Sequence, residues 1–465
     1  MLKYLLIFCF YIRVYQGSDN TKPVLEVGDP ELIKLILVKD FNVFHNRRSD
    51  RKIKHNIINK NLFDAEDEFW RKIRTIVTPT FTSGKIKKMY SLIDDCAKYA
   101  IDNLESHVNK KEAKIKDVFS CLTMDVIAKC AFGTDTNANQ DKYNPFVVNG
   151  IELFNVKIYR VILITLCPRF ILKLLNIKSF FNEKNNEFFL NVARHIIRKR
   201  RANNERRNDF LQLLMDAQSS DKIEKDKNDS ELHHVNQDEE GIKAEKQTWN
   251  YEIDKDQRLT EDEICAQAWV FFIAGYETTA TTLSFCSYEL ALNQEIQNKL
   301  YQELKLAIEN NGDIDYDTLS KLPYLDAVMS ETLRKYPPVQ RLERTATQTY
   351  QVPNTEIKLF KGDLINIPVY AIHHDEEYYP SSETFKPERF LSENRHLIKP
   401  YTYLPFGSGP RNCVGMRFGL LEAKLALTKI IPKYKFVKTS NTKVYCLPQK
   451  VLLLELKEDK FFIHW

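Results

Sequence analysis

A chain of 465 residues with 43% hydrophobic and 12% aromatic content is long enough to bury a large core, which excludes a fibre or a disordered tail. Its 68 basic and 63 acidic residues leave a net charge of +5, too balanced for a nucleic-acid binder. Nine cysteines, an odd number without regular spacing, imply no disulfide framework and point to a reducing compartment for the folded part.

The chain opens with MLKYLLIFCFYIRVYQGSD, apolar from Leu2 to Ile12. That run falls short of the roughly 20 residues a spanning helix needs. Residues 1–18 therefore read as a short hydrophobic segment, the remnant of an anchor or a strand. A secretory leader is the alternative, but no small-x-small cleavage site follows cleanly.

Apolar residues then recur at three- and four-residue spacing in VLEVGDPELIKLILVKDF, MYSLIDDCAKYAIDNL, VFSCLTMDVIAKCAF and EFFLNVARHIIRKRR, so the body is mainly helical. Within WRKIR, Trp70 and Arg74 stand four apart and share a helix face. Residues 219–257 are dense in charge and poor in aliphatic side chains, which marks a mobile insertion and not a domain boundary. Its acidic residues and the His233-His234 pair lack fixed ligand spacing, so a solvated loop is favoured over a metal site.

After the insertion, Thr260 with Glu263 three residues on forms a capping box that opens a long helix, apolar nearly all round and so central to the fold. Its middle carries AGYETT. There Gly275 leaves room beside the helix, Thr278 can turn its hydroxyl to the carbonyl four residues back, and Glu277 supplies an acid. These residues fit a proton relay. They also fit a slightly kinked core helix whose threonines satisfy themselves.

In MSETLRKYPP, Glu331 and Arg334 are three apart on one helix face, a weak signal alone. FKPERF follows with Arg389. Strand-like alternation appears late, in TQTYQVPNTEIKLFKGDLINIPVYAI and KVLLLELKED, so small sheets flank the helical body. Between them stands FGSGPRNCVG, Phe406 to Gly415. Gly407, Gly409 and Gly415 predict a loop pressed against a flat ligand, which Cys413 faces. A helix follows, and its N-terminus favours thiolate over thiol at Cys413.

Taken together, FGSGPRNCVG, AGYETT, the Glu331-Arg334 spacing and FKPERF resemble the cytochrome P450 family of haem-thiolate monooxygenases. The likeness covers nearly everything from about Pro23 to Lys457. TPTFTSGKIKKMY, NDFLQLLMDAQ, FFIAGYETTATTLSF and YLPFGSGPRNCVGMRFG are similar to the microsomal clan, which includes drug-metabolising enzymes, arthropod detoxification enzymes and thromboxane synthase. The resemblance implies a mainly α fold with small β-sheets (α+β), a triangular helical body around a buried haem, with residues 19–465 as the haem domain. It implies haem b with Cys413 as axial thiolate and metal ligand, bordered by Phe406, Gly407 and Gly415. Trp70, Arg74, Arg344, Arg411 and Arg47 would hold the propionates, and Arg389 would join Glu331 and Arg334 in a buried network. Glu277 and Thr278 would deliver protons during oxygen activation.

The same resemblance implies electrons from NADPH through a cytochrome P450 reductase, with cytochrome b5 as a second partner. It implies an apolar small-molecule substrate (xenobiotic, steroid or fatty-acid-like), no nucleic acid, and a place on the cytoplasmic face of the endoplasmic reticulum membrane. Lys85, Lys87, Lys88, Arg417 and Lys424 would meet the reductase. Phe271, Phe272, Ile273, Ala274, Val339, Leu342, Tyr445 and Cys446 would wall the pocket, and IYRVILITLCPRFILKLLNI resembles the lid that dips into the membrane surface. Two alternatives stand beside this reading, a peroxide-rearranging isomerase of the thromboxane-synthase type and an inactive truncated haem protein. Clan members usually begin with a full anchor, a basic stop and a proline-rich hinge. Here the chain joins partway, so an early helix and an edge strand are expected to be missing.

Overall fold

The structure, a computed structural model, describes residues 14–19, 22–48, 53–108, 113–138, 141, 143–219, 258–353, 355–439, 442 and 460–464. After short helical turns between Pro30 and Phe44, the main helices are α1 (Asp67–Val77), α2 (Ser83–Val108), α3 (Ile115–Ile127), α4 (Pro145–Phe154), α5 (Ile158–Leu166) and α6 (Arg169–Leu174). They continue with α7 (Glu183–Asn203), α8 (Phe210–Ser219), α9 (Glu261–Leu292), α10 (Pro323–Lys335) and α11 (Met416–Ile430).

The axis of the fold is α9. Its capping box closes as the spacing predicts, with the Glu263 N–H on the Thr260 hydroxyl and the Thr260 N–H on the Glu263 carboxylate at 2.8 Å. Ile264, Phe272, Leu283, Phe285 and Leu290 are fully buried on different sides of the helix, so packing all round holds it. The α3 helix packs closely along it, and α7 lies beside it. Phe272 joins Phe132, Phe146 and Phe189 in an aromatic cluster, stacked on Phe189 at 4.3 Å. Gly275 marks the α3 contact, since a Cβ there would lie 2.8 Å from Ile127 Cδ1. The space at Gly275 therefore admits a neighbouring helix, which corrects the expectation that it leaves room for dioxygen.

Four strands form one sheet in the order β1 (Val14–Asp19), β2 (Lys22–Val27), β4 (Leu364–Ile367), β3 (Leu342–Thr345). The β1–β2 pair is antiparallel, β2–β4 parallel with Val24 opposite Leu364, and β3–β4 antiparallel with Arg344 opposite Ile365. The β1–β2 hairpin supplies the edge strand expected to be missing. Strands β5 (Lys435–Lys438) and β6 (Lys460–His464) pair antiparallel in a second sheet. Residues 1–13, most of the charged insertion, the expected strand KVLLLELKED, Tyr445 and Cys446 lie outside the described residues. Among those described, no helix is long and apolar enough to cross a membrane.

Candidate functional site

The segment before α11 is shaped by two glycines with left-handed backbone, Gly407 at φ +72° and Gly409 at φ +71°. A Cβ on Gly409 would run into the Leu37 carbonyl, so its close approach is to protein backbone and not to a ligand. Gly415 is the N-cap of α11 with an ordinary φ of −89°. The Asn412 N–H donates to the Gly409 carbonyl at 3.0 Å and the Cys413 N–H to Phe406 at 2.9 Å. The backbone thus fixes where Cys413 stands.

Cys413 lies deep in the chain and still presents accessible surface. Ala274 does the same in the middle of the otherwise buried α9. A loop and a helix that each keep accessible surface among buried neighbours would suit a flat group held between them. Burial pushes the Cys413 thiol up, and the Gly415 N–H and the charges of Arg74 and Arg47 do not reverse it. The preference for thiolate expected from the helix terminus is thus overruled by desolvation. A coordinated metal ion would supply the missing stabilisation, because it deprotonates a ligating thiol outright.

The structure brings Arg47, Arg74, Arg344 and Arg411 together beside this loop. Arg74 donates to the Asn412 carbonyl at 2.9 Å and to its side-chain oxygen at 2.6 Å. Arg47 reaches the Phe63 carbonyl at 3.3 Å and the Arg411 carbonyl at 3.5 Å. Arg411 stacks 4.7 Å over Trp70 and donates to the Ala65 carbonyl. Burial, then the Arg47 charge, pulls Arg344 down to about 9; burial, then Arg47, Arg344 and Arg74, pulls Arg411 well below the usual range. Nε of Arg344, and Nε and Nη1 of Arg411, are buried with no hydrogen-bond acceptor among the described residues. Crowded cations with orphaned donors are the chemistry that receives a dianion, and the two propionates of haem fit it.

A buried network supports the loop from below. Arg334 grips Glu331 through Nε at 2.7 Å and Nη2 at 2.9 Å, and donates to the carbonyls of His373 at 2.8 Å and Ser382 at 2.7 Å. Arg389 joins at 3.5 Å from Glu331. His373 carries the network to the cysteine segment, with Nδ1 on the Arg334 carbonyl at 2.9 Å and Nε2 accepting the Leu404 N–H at 2.8 Å. That pattern requires a neutral ring, and burial holds its pKa well below the ordinary value.

On α9, the Thr278 hydroxyl donates to the Ala274 carbonyl at 2.5 Å. Glu277 is buried and ion-paired with Lys116 of α3 at 2.8 Å, and it accepts from the Thr281 hydroxyl at 3.3 Å. Residues 274 and 278 lie on one stripe of the helix and 277 and 281 on the next, so the Thr278 hydroxyl and the Glu277 carboxylate leave the helix on neighbouring faces, each held by its own partner. Phe271 and Phe272, expected as pocket walls, are core: Phe271 packs on Phe81 and Phe210, and Phe272 on Phe189. The basic docking face is also smaller than expected. Lys87 is spent on Asp317 at 2.8 Å, Lys424 is largely buried against Asp326, and Lys85 and Lys88 line a cleft against α8.

Sequence reasoning missed Asn412, His373 and Lys116. Asn412 sits inside a motif already singled out, so its amide was available as a signal. Lys116 and His373 carried none, because their partners come from other segments.

The fold and this site define a haem-thiolate enzyme. The family model described as cytochrome P450 matches residues 3–462, and the chain belongs to that family, an oxidoreductase of the monooxygenase type. It is 37% identical over 430 residues to cytochrome P450 6k1 of Blattella germanica, covering 91% of this chain and 79% of the relative. It is 35% identical over 446 residues to cytochrome P450 3A29 of Sus scrofa, with 94% and 82% covered. Against the probable cytochrome P450 6a14 of Drosophila melanogaster the identity is 36% over 453 residues, with 94% and 83% covered.

Proposed function

We propose that this cytochrome P450 inserts one oxygen atom of dioxygen into an apolar small molecule of xenobiotic, steroid or fatty-acid-like character, using electrons from NADPH passed through a reductase. The observation that carries the reading is the arginine cluster beside Cys413, whose buried Arg344 and Arg411 donors have no acceptor among the described residues. Cys413 would hold the iron as its axial ligand, bordered by Phe406, Gly407 and Gly415. Arg411, Arg344, Arg74 and Arg47, with Trp70 against Arg411, would clamp the propionates. Haem, when bound, supplies oxygen activation and transfer. Thr278 Oγ1 would hold the proton to be delivered, Glu277 would replenish it, and Lys116 would keep the Glu277 carboxylate in place. The intact Glu277-Thr278 pair favours this route over a peroxide isomerase.

A place on the cytoplasmic face of the endoplasmic reticulum membrane follows from the microsomal likeness, and α5 and α6 would supply the contact with the membrane surface. Ile158 is 74% exposed, Leu166 74%, Phe170 71% and Leu174 84%, a contiguous apolar surface that suits a lipid headgroup boundary. Arg160 of α5 turns inward to the carbonyls of Ser179, Phe180 and Phe181. The reductase, and cytochrome b5 where it takes part, would approach on the Cys413 side. The test is the carbon monoxide difference spectrum of the reduced protein beside Cys413→Ala. A strongly red-shifted Soret band that the variant loses is expected, and NADPH consumption with reductase should then exceed turnover with peroxide alone. No such band from the natural chain would defeat the reading.

A further inference from the structure

Away from Cys413, α2 and α8 leave between them a cleft of about 550 Å³ with a charged lining. Its cations are Lys85 and Lys88 from α2, Lys129 after α3, and Arg206 and Arg207 from the turn before α8. Its carboxylates, Asp135, Asp209 and Asp216, are all engaged. Asp209 takes two Arg200 nitrogens at 2.8 and 2.5 Å, with both side chains 2% exposed, and the Gln212 N–H at 2.8 Å. Asp216 takes Arg206 at 2.7 Å and the Gln212 amide at 2.9 Å. Asp135 lies 3.4 Å from Lys129. Arg207 is aimed by Glu205 at 2.7 Å and by the Gly133 carbonyl.

Lys85 and Lys88 remain. They stand three apart on one face of α2, and their ammonium groups make no ion pair or hydrogen bond among the described residues. A lone surface lysine needs no partner. Here cations from separate segments converge on one concavity whose acids are already neutralised, and Leu92 and Leu213 add an apolar patch to the wall. The volume lies within the roughly 300–1,000 Å³ of small-molecule sites. We propose that this cleft binds a phosphate-bearing small molecule of nucleotide size, with its phosphates between Lys85, Lys88 and Arg207 and its less polar part on Leu92 and Leu213.

The experiment is calorimetric titration of the haem-loaded full chain with ATP and, separately, inorganic pyrophosphate at low salt. Both should bind, ATP the tighter. Lys85→Gln with Lys88→Gln should weaken ATP at least about tenfold. Lys87→Gln, whose ammonium is held by Asp317 at 2.8 Å, should leave it unchanged. The carbon monoxide spectrum should be the same in all variants. No heat from either probe at millimolar concentration, or equal ATP affinity in the double variant, overturns the site. Equal affinity for ATP and pyrophosphate overturns the role of the leucines. Should the double variant instead raise the KM for reductase and leave the titration silent, the surface takes an acidic protein and the small-molecule assignment falls.

Discussion

Arg334 has every one of its buried contacts aimed at a fixed acceptor, so the substitution Arg334→Leu would leave Glu331 in the interior with Arg389 at 3.5 Å as its remaining cation. Stranding such a charge costs roughly 3–5 kcal/mol, and the expected result is a lower urea midpoint together with less haem retained per chain. His373 and His374 set the acid limit. Both are held neutral by burial, His373 with a pKa well below the ordinary 6.5 and His374 pulled down to about 4. Between those values and 6.5 the unfolded chain binds the extra protons, so this contribution is full above 6.5 and is lost as the pH falls towards 4. Urea midpoints across that window should drop, and His374→Gln should flatten part of the slope; an unchanged slope would refute the assignment. At this scale the sequence was legible wherever partners are close along the chain. Glu331 and Arg334 announce each other by spacing. The Arg74–Asn412 bond joins residues 338 apart, so although each lies in a motif that could be read, their pairing could not. The turn that carries Cys413 was legible from its glycines, but the protonation of its thiol was not, because desolvation depends on everything packed around it.

Among the elements, the α3–α9 contact at Gly275 has no slack. Gly275→Ala should destabilise the fold by about 1–3 kcal/mol through overpacking. Adding Ile127→Ala should recover part of that loss, a coupling that a double-mutant cycle would measure. The α5–α6 segment makes the opposite kind of prediction. Leu166→Ser with Leu174→Ser should leave folding unchanged, since both are exposed, and should reduce sedimentation with phospholipid vesicles. Equal sedimentation would remove α5 and α6 from the membrane face. The capping box of α9 could be read directly, because it is local chemistry. The π-helical turns at Leu35–Lys39 and Ala128–Phe132 could not, since an extra residue per turn is imposed by neighbours and leaves no mark on periodicity.

For the molecule as a whole, the crowding of Arg47, Arg344 and Arg411 means that the chain without its dianion carries a repulsion that binding relieves. Haem loading should therefore raise Tm strongly, by mass action on the folded state. Arg411→Gln should shrink that rise and speed transfer of haem to an apoprotein acceptor, while the cofactor-free chain should lose little stability; a large loss there would make Arg411 a structural residue. The mainly helical class and the small flanking sheets were legible from periodicity. The parallel pairing of β2 with β4 was not, because its strands are distant in sequence. The central helix has one further consequence, in the exchange of its amide hydrogens. A helix ordinarily frays at its ends, yet α9 is closed by its capping box at Thr260 and by the Asn293 N–H and side-chain amide on the Glu289 carbonyl. Its centre is where the Ala274 and Thr278 carbonyls each take a hydroxyl as well, at 2.5 and 2.8 Å. Those shared rungs weaken the ladder at its middle. Protection should fall in the turn spanning 274–282 before it falls at either terminus, so the helix opens first at the AGYETT stretch.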